Sequence, residues 1–300
     1  MPRMFSRMQP SDHRASGFTL IEVLIIVPIL MLVITGMVAY MVAMLNMSTR
    51  ADIQNRAVYD THAAFDTVET DVKITKTFLV SVDDVMSDAY GSYGGVGTTW
   101  ITDPYGPDGS GATWSVNTAA ATPVAGGYAY PVVLRMFATS KNVHDPTKAP
   151  VYINRYGCTA ATINTNPPLT VNVIYFESGG NLYRRTLIPP TTTDTTTIST
   201  PSHVTTCSTP YQQQTCPAGN PLASATCTAT DQLVLSNVSI IITTFTGPSG
   251  VAMVPSPSTP LTQTDLDGAN SLRFYVGTRQ TVNGAPLDYG ATYQFTKVNS

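Results

Sequence analysis

A chain of 300 residues that is 43% hydrophobic but only 12% charged, with a net charge of −3, can bury a sizeable core and lacks the basic excess of a nucleic-acid surface. Arg184-Arg185 is too short a run to supply one, and no nucleic-acid partner is expected.

Residues 1–17 carry Arg3, Arg7 and Arg14 against Asp12, a bias that holds this leader in the cytoplasm and sends everything after Leu45 outward. From Val23 to Leu45 no side chain is charged, and a run of about 23 residues matches a hydrocarbon core of roughly 30 Å crossed as a helix. A secretory signal peptide would have a shorter apolar core and a small-residue cleavage site. Glu22 stands at the head of this run, where a carboxylate needs compensation. Two readings compete. In one, Thr19 and Glu22 form a capping box at the helix start. In the other, the chain is cut between Gly17 and Phe18, and the new amine four residues before Glu22 becomes its cationic partner, in the same chain or a neighbour. Pro28 removes a helical amide bond inside the span and predicts a kink or local unwinding there, unless lipid simply tolerates it.

Gly17 followed by Phe18-Thr19-Leu20-Ile21-Glu22, behind a short basic leader and ahead of a long apolar helix, resembles the prepilin signature of type IV pilins and type II secretion pseudopilins. The resemblance implies that a prepilin peptidase removes residues 1–17 and methylates the amine of Phe18. It also implies that Glu22 docks against the N-terminus of a neighbouring pilin or pseudopilin, over an inner-membrane assembly platform. Residues 18–45 would then be a single-pass anchor and assembly helix in the cytoplasmic membrane, and 46–300 an exported head in a cell-surface or periplasmic filament. Pro28 departs from the pattern, since pilin prolines usually stand further along the helix.

No proline or glycine interrupts residues 46–79, and Val58, Phe65, Val72 and Leu79 recur every seven residues with Val68 between, so the helix is predicted to run to about Leu79 with one covered face. Arg56, Asp60, Glu69, Asp71 and Lys73 are assigned to its solvated face. Tyr90 to Gly127 is glycine-rich and reads as loops, with a short strand around Thr99–Ile101; GSYGGVGTTW lacks the lysine of a phosphate loop. Strands are predicted at 130–137, 150–154, 169–177, 181–188, 232–245, 271–282 and 291–298 from their β-branched and aromatic content. Gly179-Gly180-Asn181 and Asn283-Gly284 are hairpin turns between antiparallel neighbours. The fold class is α+β: a long N-terminal helix, membrane-spanning in its first half, packed on an antiparallel sheet head.

VIYFESGGNLYRRTL, LVLSNVSIIITTF and SLRFYVGTRQTVNG, taken in that order, resemble the C-terminal half of W-type minor pilins and J-type minor pseudopilins. No active-site residues come with that resemblance.

Cys158, Cys207, Cys216 and Cys227 all fall in the exported region; an even count there favours two disulfides with three pairings open. A zinc site is the rival, without the close cysteine pairs it needs. TTTDTTTISTPSHVTT, residues 191–206, reads as a surface excursion tied back by these bridges, a glycan acceptor or contact loop. Asp265, Asp267 and Asn270 around Gly268 are candidate oxygen ligands for Ca²⁺, against the plainer reading of an Asp-Gly turn. No other cofactor is expected. His62, His144 and His203 stand far apart without a nucleophile or metal motif, so an enzyme is not expected. A filament subunit, a filament-displayed adhesin and a membrane-anchored exported enzyme remain as functions; Gly17, Phe18 and Glu22 favour the first two.

Overall fold

The computed structural model describes residues 19–82, 103, 114–118, 130–140, 149–189, 191–193, 204–217, 229–282 and 284–298. The leader with Gly17 and Phe18, the predicted strand at Thr99–Ile101, His144, His203 and Cys227 lie outside them. By internal contacts the chain divides into two units, Met1–Asp52 and Ile53–Ser300.

Helix α1 covers Leu20–Lys73. In the first unit every described residue is exposed, although the segment is almost wholly apolar; α1 is long and apolar enough to cross a membrane, by length and composition. The helix is unbroken at Pro28, so the predicted unwinding does not occur.

In the second unit α1 becomes one-sided, burying Ala57, Thr61, Ala64, Phe65, Val68, Asp71 and Val72 at the three- and four-residue spacing of a single helical face. It stops at Lys73, six residues before the predicted end. Thr75–Leu79 is strand β1 instead: Ile74 and Thr75 with Thr77 are β-branched and favour extended backbone, and Leu79 reaches the core from a strand, not from a helical turn.

The remaining strands are β2 (Val132–Phe137), β3 (Thr170–Ser178), β4 (Asn181–Leu187), β5 (Thr191–Thr193), β6 (Val204–Thr206), β7 (Thr215–Cys216), β8 (Ala229–Thr230), β9 (Gln232–Leu235), β10 (Val238–Thr246), β11 (Ala252–Met253), β12 (Ser271–Val282) and β13 (Ala285–Thr296), with a short helix α2 (Gln263–Asp267) before β12. They form a five-stranded sheet, β1-β2-β3-β4-β9, and a four-stranded sheet, β11-β10-β12-β13, antiparallel throughout. Residues 150–154 make only isolated bridges. β13 begins six residues earlier than predicted, directly after the turn at Gly284.

The predicted strand 232–245 is two strands in two sheets. Asn237 takes a left-handed φ of 57° between them, a conformation asparagine tolerates better than most residues, and the chain crosses from β4's edge to β12's edge. The turn joining β3 to β4 is a two-residue one, Gly179 and Gly180 with φ of 59° and 76°, as a type I′ hairpin requires.

One apolar core runs through both sheets. Phe65 of α1 lies 3.9 Å from the ring of Tyr293, 6.0 Å from Phe295 and 6.1 Å from Phe274, while Phe78 of β1 meets Phe245 of β10 at 5.2 Å. Burying a phenylalanine contributes on the order of 1.5–3 kcal/mol. Trp114 and Val116, within the glycine-rich stretch expected to be loop, are also fully buried. So is Val204: the threonine-rich segment is not wholly a surface excursion, because β6 pairs in parallel with β5 and buries Val204, Thr205 and Thr206.

Candidate functional site

At the head of α1, the Thr19 amide and hydroxyl each donate to Glu22 Oε2 at 2.9 Å, and the Glu22 amide faces Thr19 Oγ1 at 3.4 Å. This is capping-box geometry, in which Glu22 satisfies a helix-start donor within its own chain. Glu22 is exposed at the N-terminal, positive end of the helix dipole, the single charge among apolar side chains that begin at Leu20 and run to Leu45. An exposed apolar surface of this extent is of the kind that marks a membrane or protein contact.

The head's polar interior is organised by the adjacent arginines of β4, whose side chains point to opposite faces of the sheet. Arg184 reaches the helix side. Its Nε donates to Asp71 Oδ2 at 2.6 Å and its Nη2 to Oδ1 at 3.3 Å, while the Tyr175 hydroxyl donates to Oδ2 at 2.7 Å. Burial pushes the Tyr175 hydroxyl well above its usual range, and the Asp71 charge adds to this. Burial also opposes the Arg184 charge, but Asp71 outweighs it and the guanidinium ends above its ordinary range. Asp71 therefore is not on a solvated face. It lies three residues from Val68 and beside Val72, on the apolar stripe itself, where a carboxylate is sustained only by partners.

Arg185 points the other way and is 2% exposed. Its Nη1 donates to Asp103 at 2.7 Å and its Nη2 to Asp231 at 2.7 Å. The guanidinium carbon sits 5.0 Å from the Phe176 ring and 5.4 Å from Trp114, and the Trp114 indole donates to Asp103 at 2.5 Å. Both arginines are thus bridged and largely buried. Strand alternation in the sequence predicts one exposed and one buried or bridged arginine; Arg184 is bridged as well and not exposed, and no local signal names Asp103 or Asp231, which approach from 82 and 46 residues away.

Cys158 and Cys207 form a disulfide with an S–S distance of 2.00 Å, and Cys216 is also disulfide-bonded. The first bridge ties the turn around Ile163–Thr165 to the end of β6. Asn166 and Asn154 stiffen that turn, accepting from the amides of Arg155, Tyr156 and Gly157.

Asp265, Asp267 and Asn270 lie on and just after α2, where each is engaged by hydrogen bonds within the fold. Asp265 is the third residue of α2 and closes a capping box with Thr262, accepting from its amide at 2.8 Å and its hydroxyl at 2.6 Å. Asp267 Oδ1 accepts from Gln263 at 2.8 Å and Thr77 at 3.2 Å. The Asn270 backbone bridges Thr246 and Lys297. Both carboxylates thus fasten α2, each through one of its oxygens. Among the described residues no three His, Cys, Asp or Glu side chains gather as a metal-holding group. His62 contacts the Tyr293 hydroxyl at 2.6 Å.

No protein-family model and no curated protein matches this chain.

Proposed function

We propose that the chain is a minor pilin or pseudopilin, a structural subunit that copolymerises through its N-terminal helix and initiates or caps a type IV pilus or secretion pseudopilus. The carrying observation is Gly17-Phe18-Thr19-Leu20-Ile21-Glu22 at the head of an apolar helix. A plain anchor needs neither the cleavage signature nor the carboxylate. The exposed apolar surface from Leu20 to Leu45 supports the reading, since it suits lipid before assembly and neighbouring helices after it. In this account prepilin peptidase removes residues 1–17 and methylates Phe18. Glu22 then exchanges its contacts with Thr19 for the amine of a neighbouring subunit, and the chain carries out no reaction of its own.

Intact mass tests the first step. The mature protein is expected to start at a methylated Phe18 in cells with active prepilin peptidase; retention of residues 1–17 there overturns the proposal. Glu22→Ala is expected to insert in the membrane at least as well as the parent, because a costly charge is gone, and to drop out of filaments. Normal incorporation of Glu22→Ala removes the role given to the carboxylate.

A further inference from the structure

Three of the four edges of the two main sheets are protected. The outer edge of β1 is capped by Gln263, whose Oε1 accepts from the Val80 amide at 3.0 Å and whose Nε2 donates to the Phe78 carbonyl at 2.9 Å. β9 and β11, four and two residues long, are too short to template another strand. β13 is different: it pairs with β12 over twelve residues and forms the other edge of its sheet.

The hydrogen-bond phase of that edge follows from two contacts. The Lys297 amide donates to the Asn270 carbonyl at 2.9 Å, which continues the β12–β13 register, and the Arg279 amide donates away from β13, to the Asn237 carbonyl at 2.8 Å. Since antiparallel ladders alternate, the odd-numbered residues of β13 bond β12. The even-numbered ones, Asp288, Gly290, Thr292, Gln294 and Thr296, turn their amides and carbonyls outward. Val298 belongs to the same outward set, and its amide meets the Lys73 carbonyl at 3.4 Å, which closes one end. Pro286, without an amide hydrogen, closes the other. The five residues between are exposed, and among the described residues nothing bonds their outward amides. Between these two ends the strand holds no proline and one charge, Asp288, which is paired with Arg279 at 2.7 Å.

We infer that this edge is a pairing site for a second copy of the chain, β13 against β13 in antiparallel register about Thr292. The open window fixes that centre, because only there are all five outward residues used. Thr292 then faces its counterpart, Gly290 faces Gln294 and Asp288 faces Thr296, so no like charges meet. On the core side, where Tyr289, Ala291 and Tyr293 are only half-buried, the register sets Tyr289 opposite Phe295 and Ala291 opposite Tyr293. Aromatic cross-strand pairs of this kind stabilise sheets. This site lies in the head and does not depend on the proposed processing of the N-terminus.

The test uses the full chain in detergent micelles, carrying Thr292→Cys and treated with a short bismaleimide, with Thr259→Cys in an exposed loop as control. The native cysteines do not interfere, since none of the described ones is free. Thr292→Cys is expected to yield cross-linked dimer several-fold above the control. Gln294→Pro added to it should abolish the product with little change in melting temperature, because the lost amide points away from β12. Thr292→Lys, which sets two charges face to face, is the second check and should sediment as a smaller species than the parent. Equal cross-linking at the two positions, or a parent and Thr292→Lys of the same size, overturns the inference. So does a Thr292→Cys adduct formed in cell membranes with a different protein while the purified chain gives none, which assigns the edge to a foreign strand.

Discussion

Asp71 offers the sharpest test of how α1 is fastened in the head. Asp71→Ala leaves the Arg184 guanidinium, its side chain 17% exposed, with Thr186 Oγ1 as a remaining contact at 3.0 Å, and takes the acceptor from a buried Tyr175 hydroxyl. Removing one member of a buried ion pair costs about 3–5 kcal/mol. At about 2–4 °C per kcal/mol for a unit of this size, the melting temperature should fall by roughly 6–20 °C. Arg184→Met should cost a similar amount, for the mirrored reason. Asp71→Leu combined with Arg184→Met leaves no charge behind, so the double variant should cost no more than either single one. Thermal melts of the full chain in micelles, followed by near-ultraviolet circular dichroism, provide the comparison. An Asp71→Ala variant melting within about 2 °C of the parent, or strictly additive effects, would refute the reasoning that burial makes this pair interdependent.

Tyr175 gives a pH dependence with a definite sign: its folded value is raised by burial and by Asp71, so its contribution is complete below the unfolded tyrosine value of about 10 and is lost as pH rises toward the folded one. Tyr175→Phe should therefore flatten the decline of stability in that alkaline window. Non-reducing peptide mapping should recover Cys158 linked to Cys207 and Cys216 linked to Cys227 with no alkylated cysteine, and Cys158→Ser with Cys207→Ser should cost about 2–5 kcal/mol. Millimolar Ca²⁺ or chelator should leave the melting temperature unchanged, because Asp265 and Asp267 are committed to α2; a rise with the logarithm of calcium concentration would show otherwise.

The local rules of the chain were legible, and the partnerships across it much less so. β12 spans the predicted residues, β3 and β4 fall within one residue of theirs, and both glycine turns close hairpins, because alternation and turn chemistry are properties of adjacent residues. The end of α1 was misread. Val72 and Leu79 keep a seven-residue spacing by coincidence, and no proline or glycine marks the change at Ile74. The break at Ser236-Asn237 was hidden in a continuous β-prone run, since crossing between sheets needs one left-handed residue and leaves composition unchanged. Asp71 could have been placed from its position on the stripe with Thr61, Phe65 and Val68, had the charged residues been assigned by helical angle and not by polarity. Asp103 and Asp231 have no such signal: what selects them is the packing of Arg185 between Trp114 and Phe176.

The contact of Phe65 with Tyr293 and Phe295 has a consequence for synthesis. The face of α1 around Phe65 is sealed by β13, some 230 residues later in the chain, so it emerges from the ribosome well before the strand that covers it. Contacts this distant form late and leave apolar surface open meanwhile. Completion of the head thus reports that the chain has been delivered through β13, and a product truncated before β13 would present an uncovered Phe65 to the proteases and chaperones that meet unfinished chains.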